Sequence, residues 1–275
     1  MLLEKDITMN PEEIKIVVKE TYGKIASQSR AQNASSCCGS GCGCSDEIVM
    51  AEEYGHLDGY VAEADLGLGC GIPTDGAGIK SGHTVLDLGS GAGNDVFVAR
   101  RIVGEQGSVI GVDFTEAMIA KANTNKQKIG YTNIDFRMGD IEKLPVDSSS
   151  VDVVISNCVL NLVPDKAKAF GEISRVLKPG GHFSISDIVV SSPLPEKLKT
   201  VAELYAGCVS GAMVWDEYLG IIESSGFRNI RLVKENSIHI PEEILAEYLS
   251  AEERAEYENS NIRIQSITIA AEKAY

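Results

Sequence analysis

Positively charged residues are scarce in this sequence. The 275 residues include 25 Lys and Arg against 40 Asp and Glu, which gives a formal net charge of −15. Binding to nucleic acids or to anionic membranes rests largely on basic residues, so this balance disfavours both as partners. We therefore expect an acidic globular protein that acts on a small molecule.

Long apolar runs are also missing. The most apolar stretch, residues 151–163, is interrupted by an aspartate, a serine and two asparagines, so it could not span a bilayer. Residues 1–10 already carry three charged side chains, and no apolar segment of a secretion signal follows them. In a chain without such a signal, the seven cysteines are expected to be cytoplasmic thiols rather than a disulfide framework.

From residue 84 onward, short apolar runs alternate with amphipathic segments. Strands are predicted at 84–88, 109–112, 134–136, 151–156 and 183–188, with helices at 95–103, 116–129 and 166–177 between them. Outside this region, helices are predicted from residue 10, at 48–54, 198–206, 215–225 and 242–250, and strands at 230–234 and 262–270. Alternation of this kind indicates an α/β fold with a parallel sheet covered on both faces.

A glycine-rich loop joins the first predicted strand to the helix that follows it. Its sequence is Asp-Leu-Gly-Ser-Gly-Ala-Gly-Asn over residues 87–94. Glycines at such a turn let the backbone bend tightly and let a ligand approach the main chain. The loop is not a dinucleotide fingerprint, because Asn94 stands where glycine or alanine is needed, and it lacks the Gly-Lys-Ser/Thr ending of a P-loop.

Two acidic residues follow the next two strands. Asp113 ends the second strand, about 20 residues beyond Gly93, from where a carboxylate reaches ribose hydroxyls. Asp140 follows the third strand and could accept a hydrogen bond from an adenine amine. Together with the glycine loop, these residues predict an adenosine site without a phosphate clamp.

Over residues 82–190 the chain resembles the class I S-adenosylmethionine-dependent methyltransferases. The resemblance is carried by the run 85–93, by Asp113, by Gly-Asp-Ile at 139–141 and by Arg-Val-Leu-Lys-Pro-Gly-Gly at 175–181. It implies a Rossmann-like sheet of seven strands with helices on both faces, an antiparallel last strand inserted near the edge, and S-adenosylmethionine as cofactor. The cofactor-binding residues that it implies are Asp87, Gly89, Ser90, Gly91, Gly93, Asp113, Phe114, Asp140, Ile141 and Asn157.

The resemblance also divides the chain. Residues 1–75 are expected to form an N-terminal extension with a Cys-rich loop, and residues 76–190 the cofactor-binding core. Residues 191–275 are expected to complete the sheet and to contribute to the substrate site.

Cysteines are the best candidates for holding the methyl acceptor. Oxygen and nitrogen acceptors usually need a general base, yet the four histidines are scattered and none lies near the strand ends predicted to hold the cofactor. Cys158 follows the fourth predicted strand, at the carboxyl end where parallel sheets bind ligands. Cys70, Cys208 and the cysteines of residues 37–44 lie among small residues. Singly, each is typical of a buried small hydrophobic residue, but together they indicate a site for a soft thiophilic ion.

The segments around these cysteines are similar to those of the arsenite S-adenosylmethionine methyltransferases. They read Ser-Asn-Cys-Val-Leu-Asn-Leu-Val-Pro-Asp-Lys at 156–166, Gly-Cys-Gly at 69–71 and Gly-Cys at 207–208. The resemblance implies that Cys158 and Cys208 form the core pair for trivalent arsenic. It also implies that Cys70 is the third ligand and can close a disulfide with Cys158 during the cycle. Either Cys37 or Cys38 matches the family's N-terminal catalytic cysteine.

The activity implied is methylation of arsenite or methylarsenite, with a small thiol or a thioredoxin-like protein as reductant. Two other functions stay open. A methyltransferase of a small organic acceptor would share the cofactor core, and its cysteines would only pack. A Cys-rich metal sensor would work through residues 37–44 without consuming the cofactor, although the intact glycine loop argues against it. A hydrolase is not supported, since neither G-x-S-x-G nor H-E-x-x-H occurs.

Overall fold

The computed structural model of the chain describes residues 10–30, 32–33, 52–195, 197, 211–240 and 242–274. Five cysteines singled out above lie outside these residues: Cys37, Cys38, Cys42, Cys44 and Cys208. The helix predicted at 198–206 also lies outside them, as does most of the one predicted at 48–54, whose described residues 52–54 are not helical.

Eight strands and seven longer helices are found in the described part of the chain. The strands are β1 (Thr84–Leu88), β2 (Ser108–Asp113), β3 (Ile134–Met138), β4 (Val151–Asn157), β5 (Leu177–Val190), β6 (Met213–Val214), β7 (Phe227–Ile238) and β8 (Ile264–Lys273). The helices are α1 (Pro11–Ala26), α2 (Asn94–Val103), α3 (Glu116–Ile129), α4 (Lys166–Val176), α5 (Trp215–Ser224), α6 (Glu242–Tyr248) and α7 (Ala251–Ser260).

The strands form one sheet in the order β3-β2-β1-β4-β5-β8-β7, with the two-residue β6 beside β5. Strands β1 to β5 are parallel, whereas β8 runs antiparallel between β5 and β7. The predicted fold class is therefore confirmed, including the antiparallel last strand inserted near the edge. The short β6 brings the strand count to eight instead of seven.

Both faces of the sheet are buried because its strands are apolar almost throughout. Neighbouring residues of β1 point to opposite faces, so Val85 joins one apolar cluster and Leu86 the other. The cluster around Leu86 includes Phe170 of α4 and Phe183 of β5, whose ring centroids lie 5.8 Å apart. Burial on both faces explains why these strands read as continuous apolar runs.

Helix α1 begins with a capping box, in which the Asn10 side chain accepts from the backbone N–H of Glu13 and the Glu13 side chain accepts from that of Asn10. Of its residues only Ala26 is buried. Polar contacts hold the helix to the core: Lys121 of α3 donates to the carbonyl oxygens of Ala26 and Gln28 at 3.0 and 3.1 Å. In the part of the chain that the structure describes, no helix combines the length and hydrophobicity needed to cross a membrane.

Candidate active site

The glycine loop turns sharply between β1 and α2. Gly89 and Gly91 have positive φ angles of 65° and 51°, a region that side chains with a Cβ disfavour. A Cβ at Gly89 would lie 2.4 Å from Val159, so the loop packs directly against the residue after Cys158. The Ser90 N–H donates to the carbonyl oxygen of Val112 and ties the loop to β2.

Asp113 fixes this loop from the end of β2. Its carboxylate accepts from the N–H of Gly91 at 3.0 Å and from that of Thr115 at 2.8 Å. Burial raises the pKa of Asp113, and the two backbone donors oppose that change. The carboxylate therefore stays near the loop in a defined orientation, with further lone pairs for a ligand.

A cleft with about 950 Å³ of empty space opens at the carboxyl ends of β1, β2 and β4. Nine residues of the predicted site line it: Asp87, Gly89, Ser90, Gly91, Asp113, Phe114, Ile141, Asn157 and Cys158. Helix α1 closes one side with Val18 and Tyr22, and the segment before β1 contributes Tyr54 and Leu68. This is the edge of a parallel sheet at which ligands bind.

Two predicted cofactor residues do not line the cleft. Gly93 faces an aromatic pair instead, since a Cβ there would lie 2.8 Å from the ring of Phe97 and 2.9 Å from that of Phe136. Asp140 is engaged by Lys15 of α1, whose Nζ lies 2.8 Å from its Oδ2. Its neighbour Ile141 does line the cleft.

The cleft is strongly acidic. Asp87, Asp95 and Asp113 all line it, and no Lys, Arg or His is among its described lining residues. Burial, reinforced by the carboxylates of Asp95 and Asp113, raises the pKa of Asp87 well above its ordinary value. Burial also raises the pKa of Asp95 to about 6, although hydrogen bonds from Asn157 and Tyr54 oppose the rise. A ligand with positive charge would relieve this repulsion.

S-adenosylmethionine fits this environment, because its sulfonium and ammonium groups are positively charged and would offset the negative charge of these carboxylates. Among the buried side-chain oxygens at the cleft, Ser90 Oγ and Asn94 Oδ1 have no protein partner and could pair with a polar ligand.

The structure joins Cys70 and Cys158 by a disulfide, although they are 88 residues apart in the chain. Their Cα atoms lie 5.8 Å apart, and both residues are buried. Cys158 has a φ of 58°, and its N–H donates to the carbonyl oxygen of Ser186, so the chain turns sharply as it leaves β4. Left-handed geometry in a residue other than glycine is uncommon and concentrates at functional sites. No cluster of three or more metal-binding side chains occurs among the described residues.

Sequence reasoning missed Tyr54 and Asp95, which line the cleft and contact Asn157. Asp95 carried a usable signal, because it lies in the first turn of the helix that follows the glycine loop. Tyr54 carried none, since it ends a segment that was predicted as a helix and whose described residues are not helical. Nothing in the sequence indicated that Val18 and Tyr22 line the cleft either.

A family model described as "Methyltransferase domain" matches residues 79–226. The fold and the cleft thus define a methyltransferase of the Rossmann-like class, an enzyme whose cofactor is S-adenosylmethionine.

Proteins named arsenite methyltransferases are similar to this chain over most of its length. An arsenite methyltransferase of Aquipseudomonas alcaligenes is 35% identical over 84% of this chain and 67% of its own length. One of Halobacterium salinarum is 43% identical over 81% of this chain. The crystal structure of an arsenic(III) S-adenosylmethionine methyltransferase from Chlamydomonas reinhardtii matches with a TM-score of 0.64 and 38% identity, over 75% of this chain and 68% of that one. The chain belongs to the arsenite methyltransferase family. The match spans 59% of the length of the Halobacterium salinarum protein.

Proposed function

We propose that this protein transfers methyl groups from S-adenosylmethionine to trivalent arsenic held by the thiolates of Cys70, Cys158 and Cys208. The observation that carries the proposal is the bond between Cys70 and Cys158, because Cys158 lines the cofactor cleft. Two remote cysteines brought within bonding distance beside a methyl donor suit a soft ion better than they suit an oxygen or nitrogen acceptor. The similarity to proteins named arsenite methyltransferases supports the same substrate.

Cys208 is only three residues in sequence from Gly211, which packs beside this site. A Cβ at Gly211 would lie 1.7 Å from the carbonyl oxygen of Asn161. Gly211 therefore packs directly on the turn that follows Cys158. Three residues span at most about 11 Å, so a ligand at position 208 is within chain reach of that turn.

Binding and transfer need no protein base. Arsenite binds as three thiols replace its three hydroxyl groups, with release of three water molecules. When bound, S-adenosylmethionine supplies an electrophilic methyl group on its sulfonium. The arsenic lone pair carries no proton, which agrees with the scarcity of histidine near the cleft. The protein contributes mainly by holding the acceptor in line with the methyl group.

The proposed cycle requires a reductant, because the Cys70–Cys158 disulfide has to return to two thiols before arsenic can bind again. Two equivalents of a small thiol convert the Cys70–Cys158 disulfide to two cysteine thiols and release one oxidised thiol disulfide. Each methylation raises the formal oxidation state of arsenic from three to five. The thiolates of Cys70 and Cys158 return it to three by giving up two electrons and closing the disulfide, so the next round needs two electrons from outside. We propose a small thiol or a thioredoxin-like protein as their source, and either Cys37 or Cys38 as the cysteine that passes them on.

The test is to incubate the purified full chain with arsenite, methyl-labelled S-adenosylmethionine and glutathione, and to identify the arsenic species formed. Methylated arsenic is expected from the wild type, whereas Cys158→Ser and Cys208→Ser should lower the rate by about 100-fold or more. Cofactor titration of Cys208→Ser gives the matched control, because that variant should still bind S-adenosylmethionine.

Three outcomes would contradict the proposal. Wild-type rates from either serine variant would remove the cysteines from the reaction. Methyl transfer to an organic acceptor with no arsenic product would favour the alternative methyltransferase. Tight arsenic binding without cofactor consumption would favour a sensor.

A further inference from the structure

The peptide groups around Cys70 are held on both sides by side chains from other strands. The Cys70 N–H donates to Oδ1 of Asn157 at 3.0 Å. Its carbonyl oxygen accepts from the hydroxyl of Ser266 on β8. The next carbonyl, that of Gly71, accepts from Nδ2 of Asn157 at 2.8 Å. Cys70 is thus clamped by β4 on one side and β8 on the other.

Asn157 is itself held by two buried residues. Its Nδ2 lies 2.8 Å from the hydroxyl of Tyr54 and 3.2 Å from Oδ2 of Asp95. The Tyr54 hydroxyl lies 2.9 Å from both Oδ1 of Asp95 and the Gly71 carbonyl oxygen, and its single proton can be donated to either of them. Because Tyr54 and Asp95 are buried, a hydrogen bond lost at either residue leaves a polar group with little water to replace its partner.

The space around Cys70 is too tight for the segment to shift. A Cβ at Gly69 would lie 2.6 Å from Nδ2 of Asn157, and one at Gly71 would lie 2.5 Å from Oγ of Ser186. Glycine on each side of Cys70 therefore lets the backbone press against β4 and β5. Close packing at Gly69 and Gly71 and the hydrogen bonds of Cys70 and Gly71 therefore hold the same short segment.

We propose that Tyr54, Asp95 and Asn157 are positioning residues that hold Cys70 beside Cys158, in the reduced as well as the disulfide form. Asn157 immediately precedes Cys158, so one side chain sets the spacing of the two cysteines. All three residues also line the cofactor cleft, so the side chains that hold the cysteine pair belong to the wall of that cleft. The use of the pair for arsenic rests on the proposed function, whereas the positioning itself does not.

The test measures the equilibrium between the Cys70–Cys158 thiol pair and glutathione. One oxidised glutathione accepts two electrons and two protons from the thiols, giving the disulfide and two reduced glutathiones. Tyr54→Phe should lower this equilibrium constant about fivefold, the cost of one buried hydrogen bond that positions the thiols. Alkylation after equilibration, followed by peptide mass mapping of Cys70 and Cys158, gives the constant.

Tyr60→Phe is the matched control. Tyr60 belongs to the same segment and its hydroxyl donates to Asp65 at 3.2 Å, but it does not line the cleft. Its removal should leave the equilibrium constant unchanged. Since the oxidised and reduced proteins are both folded, a general loss of stability cancels from this constant.

Asp95→Asn provides a second variant should Tyr54→Phe not fold, and the same direction of change is expected. Equal constants in the wild type and in the folded cleft variant would overturn the proposal. Because only cysteines and glutathione take part, the result holds even if arsenic proves not to be the substrate.

Discussion

Lys15 of α1 donates to Asp140, just past the end of β3, with 2.8 Å between Nζ and Oδ2, and the same Nζ lies 2.9 Å from Oε2 of Glu142. The two partners are about 125 residues away in the chain. These ion pairs tie the N-terminal helix to the edge of the cofactor cleft, into which it projects Val18 and Tyr22. Because the helix buries so little of itself, its polar contacts carry much of its attachment.

The first prediction concerns this attachment. Lys15→Met should weaken S-adenosylmethionine binding about twofold to fivefold, because a partly exposed ion-pair anchor is worth at most about 1 kcal/mol. Isothermal titration calorimetry at about 0.05 M and about 0.5 M salt measures the affinity for S-adenosylmethionine. Screening at the higher salt concentration should reduce the difference in affinity between the variant and the wild type. Lys19→Met, at an exposed position of the same helix, is the control. Equal losses in the two variants would show that Lys15 has no special part.

The fold was predictable wherever apolar runs were bounded by polar turns. Strand β1 and helix α3 have the predicted limits, because β1 is buried over most of its length and α3 buries Met118, Ala122 and Asn125 at helical spacing. Helix α7 was missed because none of its residues is buried, so no apolar periodicity marks it. Its capping box, formed by Ser250 and Glu253, was the signal available.

The site was predictable only in part, for a related reason. The glycine loop and Asp113 lie at adjacent strand ends, where local sequence fixes their place. The contact of Lys15 with Asp140 and that of Tyr54 with Asn157 join remote segments. Such contacts leave no local pattern, since they depend on how the segment before β1 packs over the sheet.

The second prediction separates two roles for glycine. Gly93 has a φ of 99° and packs against the rings of Phe97 and Phe136, away from the cleft. Gly93→Ala should therefore lower the free energy of unfolding by about 3 kcal/mol, from backbone strain and overpacking together. Urea unfolding measures this loss. Cofactor affinity of the folded fraction should change little. A stable Gly93→Ala protein that no longer binds cofactor would instead place this glycine in the binding site.

The third prediction concerns Asp187, which is fully buried on β5 and accepts from the hydroxyl of Tyr218 at 3.1 Å. Burial raises its pKa to about 7, although Lys166 and the Tyr218 hydroxyl oppose the rise. A carboxyl whose pKa is higher in the folded state binds protons more tightly there than in the unfolded chain. Its contribution to stability is therefore complete below about pH 4, falls as the pH rises towards 7, and is constant above that.

Asp187→Asn removes this titration and keeps the shape of the side chain. Relative to the wild type, the variant should gain stability between about pH 4.5 and about pH 8, by at most about 4 kcal/mol for a shift of this size. Urea unfolding of both proteins at the two pH values gives the difference. Asp95, whose pKa is raised in the same direction, is present in both proteins, so its titration cancels from the comparison. If the stabilities of the two proteins instead change in parallel with pH, Asp187 is ionised in the folded state throughout this range and a partner must compensate its charge.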